Sequence, residues 1–290
     1  MVQLTLGTAQ FGMNYGFTNT RGKLNIEEVG EIINYAVENG INNFDTAQAY
    51  GDSEKVLGEF LSDFPDAKVM TKLLNNSKNY YTTKDVSFWE ENFQKSLDNL
   101  RINKIDSFLI HNANDLKKEG KDLLEEWLES LLKRNLINRL GISIYSKSDL
   151  RNISLEKYNL IQMPISIYDQ RLIKDNTCID LFKKDIAIHA RSILFQGLLL
   201  VHSEEWPHKI SERFKSHHRQ LFGSLGKKSI LELTFNFIKN NQFIQSALIG
   251  VTSLEELKEI VQIKDNLKNL KKDFLDLSWD NDSDLDPRLW

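Results

Sequence analysis

Eight short apolar runs alternating with amphipathic segments predict an α/β fold: a (β/α)8 TIM barrel, one domain over residues 1–290. The runs are rich in β-branched residues and almost unbroken by polar ones, the pattern of parallel strands buried on both faces. The alternative, a doubly wound open sheet, is disfavoured by the first glycine-rich turn. That turn, "LGTAQFGMNYG", lacks GxGxxG and leads into a polar stretch, not directly into a helix.

In chain order the strands fall near residues 3–7, 43–47, 68–73, 107–112, 139–143, 160–166, 186–194 and 246–250. After the first strand, Asn25 and Glu28 have capping-box spacing at a helix start, and Gly40 suits its end. Residues 86–100 put Phe88, Phe93, Leu97 and Leu100 near one helical face, and 123–137 do the same with Leu124, Trp127, Leu128 and Leu131. The last helix starts from Ser253, with Glu256 at its third position. Residues 198–227, after strand seven, form the longest irregular stretch and read as a loop insertion, either a substrate cover or a surface loop. The C-terminal tail is read as 271–290, and its stretch "SWDNDSDLDPRLW" as too acidic at first to pack well, with Pro287 and Trp290 bringing its end back.

Composition, 41% hydrophobic and 27% charged, is that of a soluble globular chain with ample core. A formal net charge of -4 leaves no basic footprint for nucleic acid. No uncharged run approaches the roughly 18–20 residues of a membrane span. The opening "MVQLTLGTAQ" has no basic or long apolar region, so no signal peptide is expected and the location is expected to be cytoplasmic. Cys178 is the lone cysteine, which excludes an intrachain disulfide and a cysteine-based metal site. His217 and His218 are adjacent, not four apart, so no metal is expected.

In a barrel the C-terminal ends of the strands converge on one pocket. Asp45 ends strand two, Tyr50 follows it, Lys72 ends strand three and His111 ends strand four. Each has a structural alternative: a helix cap for Asp45 (or Asp52), a rim aromatic, a surface lysine, a core histidine. Their shared place in consecutive units favours one catalytic set. A tyrosine, with an ordinary pKa near 10, is a poor acid at neutral pH. A lysine beside it would lower that value, an aspartate would hold the lysine, and a histidine would orient a carbonyl. Hydride for such a carbonyl must come from a cofactor.

The phrases "LGTAQFG", "GINNFDTAQAYGDSEKVLG", "TKL", "DSFLIHN", "GIS", "QMPIS", "ARSILFQGLL" and "LIGVTSLEEL" span nearly the whole chain. In them it resembles the aldo-keto reductase family. The resemblance implies an NAD(P)H-dependent carbonyl reductase with Tyr50 as general acid, Lys72 and Asp45 tuning it, and His111 placing the carbonyl. It implies a coenzyme site at Thr8, Ser143, Gln162, Arg191, Ser192, Leu194, Gln196, Gly197, Gly250, Thr252, Ser253, Glu256 and Glu259. Phe11, Tyr15 and Trp290 are candidate substrate contacts, although Trp290 equally suits a seal over a surface groove.

Three departures from the family pattern stand out. Arg191 replaces an aromatic that stacks on nicotinamide in many members, and Ile144 replaces a frequent asparagine. Glu256 stands where a number of members carry an arginine facing the 2'-phosphate of NADPH. Glu256 reads either as the capping partner of Ser253 or as an acceptor for a free 2'-hydroxyl. NADPH is the implied coenzyme, with NADH admitted. Some members are cofactor-sensing regulatory subunits, which keeps that alternative open. The opening and the ending "DPRLW" are similar to bacterial members associated with surface-polysaccharide sugar metabolism. That implies a keto-sugar or nucleotide-sugar substrate, and a monomer is the implied state.

Overall fold

Eight parallel strands close on themselves in chain order. They are β1 (Gln3–Gly7), β2 (Asn43–Asp45), β3 (Lys68–Lys72), β4 (Ile105–Ile110), β5 (Ile137–Ser143), β6 (Leu160–Pro164), β7 (Ala187–Arg191) and β8 (Ser246–Gly250). The computed structural model describes residues 2–75, 77–267 and 274–290. The first three residues of the expected 271–290 tail lie outside them. Closure runs through the β1–β8 register, Gly7 opposite Gly250, and a 2.6 Å hydroxyl contact between Thr5 and Ser246.

Strand alternation sorts the side chains into two apolar sets. Phe44, Phe108, Ile142, Ile161, Ile188 and Ile249 join the large cluster beneath the helices. Met70, Leu109 and Leu160, with Ala187, form a small cluster of their own inside the barrel. Two residues further along β3, β4, β5 and β6 the same inward alternation reaches Lys72, His111, Ser143 and Gln162. This polar layer tops the barrel filling, and of it Gln162 lines the cavity above.

The helices are α1 (Ala9–Gly12), α2 (Ile26–Glu38), α3 (Ser53–Leu61), α4 (Thr83–Leu100), α5 (Lys121–Lys133), α6 (Arg171–Lys174), α7 (Thr177–Phe182), α8 (Glu212–Asn240), α9 (Leu254–Asp265) and α10 (Asp282–Leu285). The Asn25–Glu28 capping box forms at the start of α2. Several boundaries differ from the sequence expectation. One helical turn, α1, directly follows β1. The helix expected over 123–137 stops at Lys133, because Asn135 turns left-handed (φ 59°) and Leu136–Ile137 feed β5. Strand seven ends at Arg191, since Ser192, Phe195 and Gln196 all have φ between 52° and 59° and cannot extend a strand.

The largest difference is in 198–227. From Glu212 onward this stretch is α8, broken at Gly226 (φ 72°), so the irregular part closes by Ser211. Charged residues hide the helical period, while Phe214 and His218 bury one face against Trp206 and Tyr168. The tail also packs through its acidic residues, contrary to expectation. Asp280 pairs with Lys174, Asp282 with Arg171, and buried Asp284 accepts from Ser211 and Trp279. Among the described residues no helix is long and apolar enough to cross a membrane.

The site rests on a close approach at Gly12. A Cβ there would lie 1.9 Å from the Tyr50 carbonyl oxygen and 2.3 Å from the Ser53 amide nitrogen. Gly12→Ala should therefore cost about 1–3 kcal/mol of stability, as overpacking does. An unchanged urea midpoint would contradict this contact.

Candidate active site

A buried ion pair sits at the floor of the site. Lys72 ends β3 with a side chain only 1% exposed, and its Nζ donates to Asp45 Oδ2 at 2.7 Å and to the Thr46 carbonyl at 2.8 Å. Asp45 Oδ1 accepts from Gln162 Nε2 at 2.8 Å. Asp45 thus lines the cavity floor, paired with Lys72, and caps no helix. Asp52 makes no side-chain cap either; it pairs with Lys23 at 2.8 Å. The start of α3 is held instead by Ser53, whose hydroxyl donates to the Thr8 carbonyl at 2.7 Å and meets the Thr8 and Thr46 hydroxyls.

Tyr50 lies above the pair, its ring centroid 4.9 Å from Lys72 Nζ and 5.8 Å from the His111 ring, which stands edge-on to it. Burial, followed by the Asp45 charge, raises the phenol well above its ordinary value. The sequence argument expects lysine to lower it; in the structure the ammonium is matched by Asp45, and desolvation prevails. Tyr50 accordingly holds its proton. Burial also lowers the Lys72 ammonium, opposed by the Asp45 charge. It pushes His111 down to about 3, helped by the charges of Lys72 and Arg191, so His111 is neutral at physiological pH.

Tyr50 and Asp45 face a cavity of about 290 Å³. Thr8, Gln162, Arg191, Ser192, Leu194, Gln196, Gly197, Gly250, Thr252, Glu256 and Glu259 also line it. Ser143 is buried beside Gln162 in register, outside the lining, and Ser253 is occupied as the α9 N-cap, accepting from the Glu256 amide at 3.2 Å. The Glu256 carboxylate turns back to Thr252, accepting from its amide at 2.6 Å and its hydroxyl at 3.0 Å. The reciprocal bond thus falls one residue before Ser253. Ile144 is fully buried in the outer core, so its side chain is turned away from the cavity.

Of the substrate candidates, Tyr15 lines both this cavity and a second of about 370 Å³, shared through Gly16 and Gln196. Phe11 is fully buried in the core, because α1 turns it away from the opening. Trp290 packs on Phe17 (5.3 Å) and Phe195 (5.0 Å) and lines neither cavity, a sealing position.

Sequence reasoning missed Lys227, which lines the far end and pairs with Glu259 at 3.0 Å. Its segment reads as loop, and only the break at Gly226 hints at it. Tyr145, Asn14 and Arg288, around the second cavity, were missed as well. The loop after β1 crosses the groove: Gln196 Nε2 donates to the Tyr15 hydroxyl at 3.3 Å, and Arg21 donates to the Thr252 carbonyl at 2.7 Å.

The lining fits an extended dinucleotide. An amide (Gln162) shares the cavity with Tyr50, and Thr252 and Glu256, at the start of α9, line its other end. At Gly197 the strand-seven loop meets the crossing loop so tightly that a Cβ would lie 2.1 Å from Thr18 Oγ1. Among the described residues no group of three or more His, Cys, Asp or Glu side chains gathers as a metal site.

Comparison with known proteins agrees. The model of the Aldo/keto reductase family matches residues 3–277. The chain is 27% identical to L-galactose dehydrogenase of Arabidopsis thaliana, over 81% of this chain and 77% of that protein. It is 28% identical to glyoxal reductase of Bacillus subtilis (strain 168), over 61% of this chain and 62% of that protein. A solved structure described as an aldo-keto reductase from Pseudomonas aeruginosa superposes with a TM-score of 0.66 at 18% identity, covering 90% of this chain and 88% of that one. That likeness speaks for the fold.

The depressed histidines carry a pH consequence. Unfolded histidine binds a proton near 6.5, whereas folded His111 and His189 resist protonation until about 3. Between these values the unfolded chain holds more protons. The contribution is therefore full above pH 6.5 and is lost as pH falls toward 3. The His111 ring signal in NMR should stay unshifted from pH 8 to about 5, where a free histidine titrates; a midpoint near 6.5 would refute its burial.

Proposed function

The chain belongs to the aldo/keto reductase family, and within it we propose a reductase of small-molecule carbonyls in which Tyr50 donates the proton. NAD(P)H bound in the groove supplies the hydride that no side chain can. Support comes chiefly from one observation: a tyrosine that holds its proton faces the same cavity as Gln162 and the coenzyme-like groove, above the Lys72–Asp45 pair.

Tyr50 hands its proton to the carbonyl oxygen as negative charge builds there. The neighbouring ammonium of Lys72 then steadies the phenolate, and Asp45 keeps that ammonium charged and in place. Neutral His111, edge-on to the Tyr50 ring, positions the carbonyl as a hydrogen-bond donor. Gln162, anchored on Asp45, suits a carboxamide; Ser192 to Gly197 suit the pyrophosphate.

The substrate we favour is a keto-sugar or nucleotide-sugar. The second cavity mixes aromatic rings (Tyr15, Phe17) with planar polar groups (Asn14, Gln196, Arg288), while the Tyr145 ring is covered by the guanidinium groups of Arg191 and Arg288. Such walls suit a sugar, whose C–H faces stack on aromatics while its hydroxyls bond to amides and guanidinium. The similar plant enzyme is named for a sugar, L-galactose. The reading includes a monomer in a reducing cytoplasm, which buried Cys178 suits.

Coenzyme choice turns on the far end of the groove. The family resemblance implies NADPH, but Glu256 and Glu259 there face a single lysine, Lys227. Two carboxylates against one ammonium disfavour an added 2'-phosphate, so NADH is the better electrostatic match. Glu256→Gln should raise affinity for NADPH relative to NADH several-fold in tryptophan-quenching titrations; an unmoved ratio means that Glu256 does not face the ribose. Tyr50→Phe should cut turnover by about a hundred- to ten-thousandfold with coenzyme affinity little changed. If turnover survives, another group is the acid.

A further inference from the structure

Arg191 brings to the site a positive charge with no carboxylate in ion-pair contact among the described residues. Its guanidinium stacks on the Tyr145 ring, 4.1 Å from the centroid, and donates to the Ile144 carbonyl at 3.0 Å. Among the described residues it makes no ion pair within 4.0 Å. The nearby acids already have partners: Asp45 holds Lys72, and Asp169 holds Arg171 at 2.8 Å. Arg288, on Tyr145 at 3.8 Å, is paired with Asp286. With His111 neutral and the charges of Asp45 and Lys72 opposed, the Arg191 charge is answered at longer range by Asp169, which is already paired with Arg171.

That charge reaches the reacting region. Arg191 lines the same cavity as Tyr50, Asp45 and Gln162, and its field acts on Tyr50, Lys72 and His111 alike. A hydride donor that serves a carbonyl at Tyr50 must bring its ring into this end of the cavity. The reduced nicotinamide ring is neutral, and loss of hydride leaves it cationic. Like charges a few ångströms apart in a partly desolvated site repel, whatever the state of the phosphates further away.

We propose that Arg191 makes this site discriminate between coenzyme redox states, holding the reduced nicotinamide and expelling the oxidised one. The inference rests on the reductase reading above and goes beyond it, because the preference belongs to one residue and not to the catalytic set. Its stacking on Tyr145 and its bond to the Ile144 carbonyl hold the guanidinium against the wall of the cavity. In the cell such a site would release its spent coenzyme readily and resist inhibition by an oxidised pool.

The test is calorimetric titration of the full-length chain with NADH, NAD+, NADPH and NADP+. For the preferred coenzyme, the reduced form should bind about ten- to a hundredfold more tightly than the oxidised form. Arg191→Met should bring that ratio toward one, chiefly by improving affinity for the oxidised form, while Arg191→Lys should retain most of it. Arg191→Gln gives a second neutral variant should the methionine fail to fold, as judged by thermal melting. A wild-type ratio near one overturns the proposal, and so does a wild-type ratio that persists in a folded neutral variant. Binding of neither form would overturn the reductase reading itself.

Discussion

Closure of the sheet between β1 and β8 is the constraint on which the rest of the molecule depends. The pairing of Gln3–Gly7 with Ser246–Gly250 leaves this parallel sheet without an edge strand. Once the barrel is closed, strand alternation leaves no freedom in where a side chain points. Met70, Leu109 and Leu160 fill the interior, and two residues later along the chain come the polar groups Lys72, His111 and Gln162, of which Gln162 lines the cavity. The apolar filling and the polar site are successive layers of one periodic arrangement.

The polar layer is expensive to maintain. An ammonium and a carboxylate are both taken out of water at Lys72 and Asp45, and their attraction offsets that penalty only because each is further bonded, Lys72 to the Thr46 carbonyl and Asp45 to Gln162. The low dielectric that makes the pair costly also governs its neighbours. It keeps the proton on Tyr50 and keeps His111 neutral. Arg191 sits at the edge of this layer, where stacking on Tyr145 holds its guanidinium and, among the described residues, no carboxylate pairs with it directly.

Around this rigid layer the loops make the walls. The segment after β1 reaches across to the loops after β7 and β8, through Tyr15 to Gln196 and Arg21 to Thr252. A second support lies behind: Tyr168, Trp206, Phe214 and His218 pack together, and His218 joins the Tyr168 hydroxyl and the Val201 carbonyl, both at 2.8 Å. This cluster ties α8 to the loop that lines the groove. The tail adds Trp290 over Phe195 and Arg288 over Tyr145.

The barrel, its eight strands and the convergence of Asp45, Tyr50, Lys72 and His111 were legible in the sequence. They depend on local periodicity and on the fixed relation between a strand's end and the barrel mouth, both of which a linear pattern carries. The length of α8 was not legible, since its buried face is aromatic and histidine-rich and is defined by partners far away in sequence such as Tyr168 and Trp279. Nor was the place of Lys227, the turning of Ile144 into the core, or the choice by Glu256 of Thr252 over Ser253. Least readable of all were the protonation states. The sequence alone determined which ionisable groups share the site; only the tertiary structure decided how far each is removed from water and which charge answers which, because desolvation and pairing depend on distances that no spacing along the chain encodes.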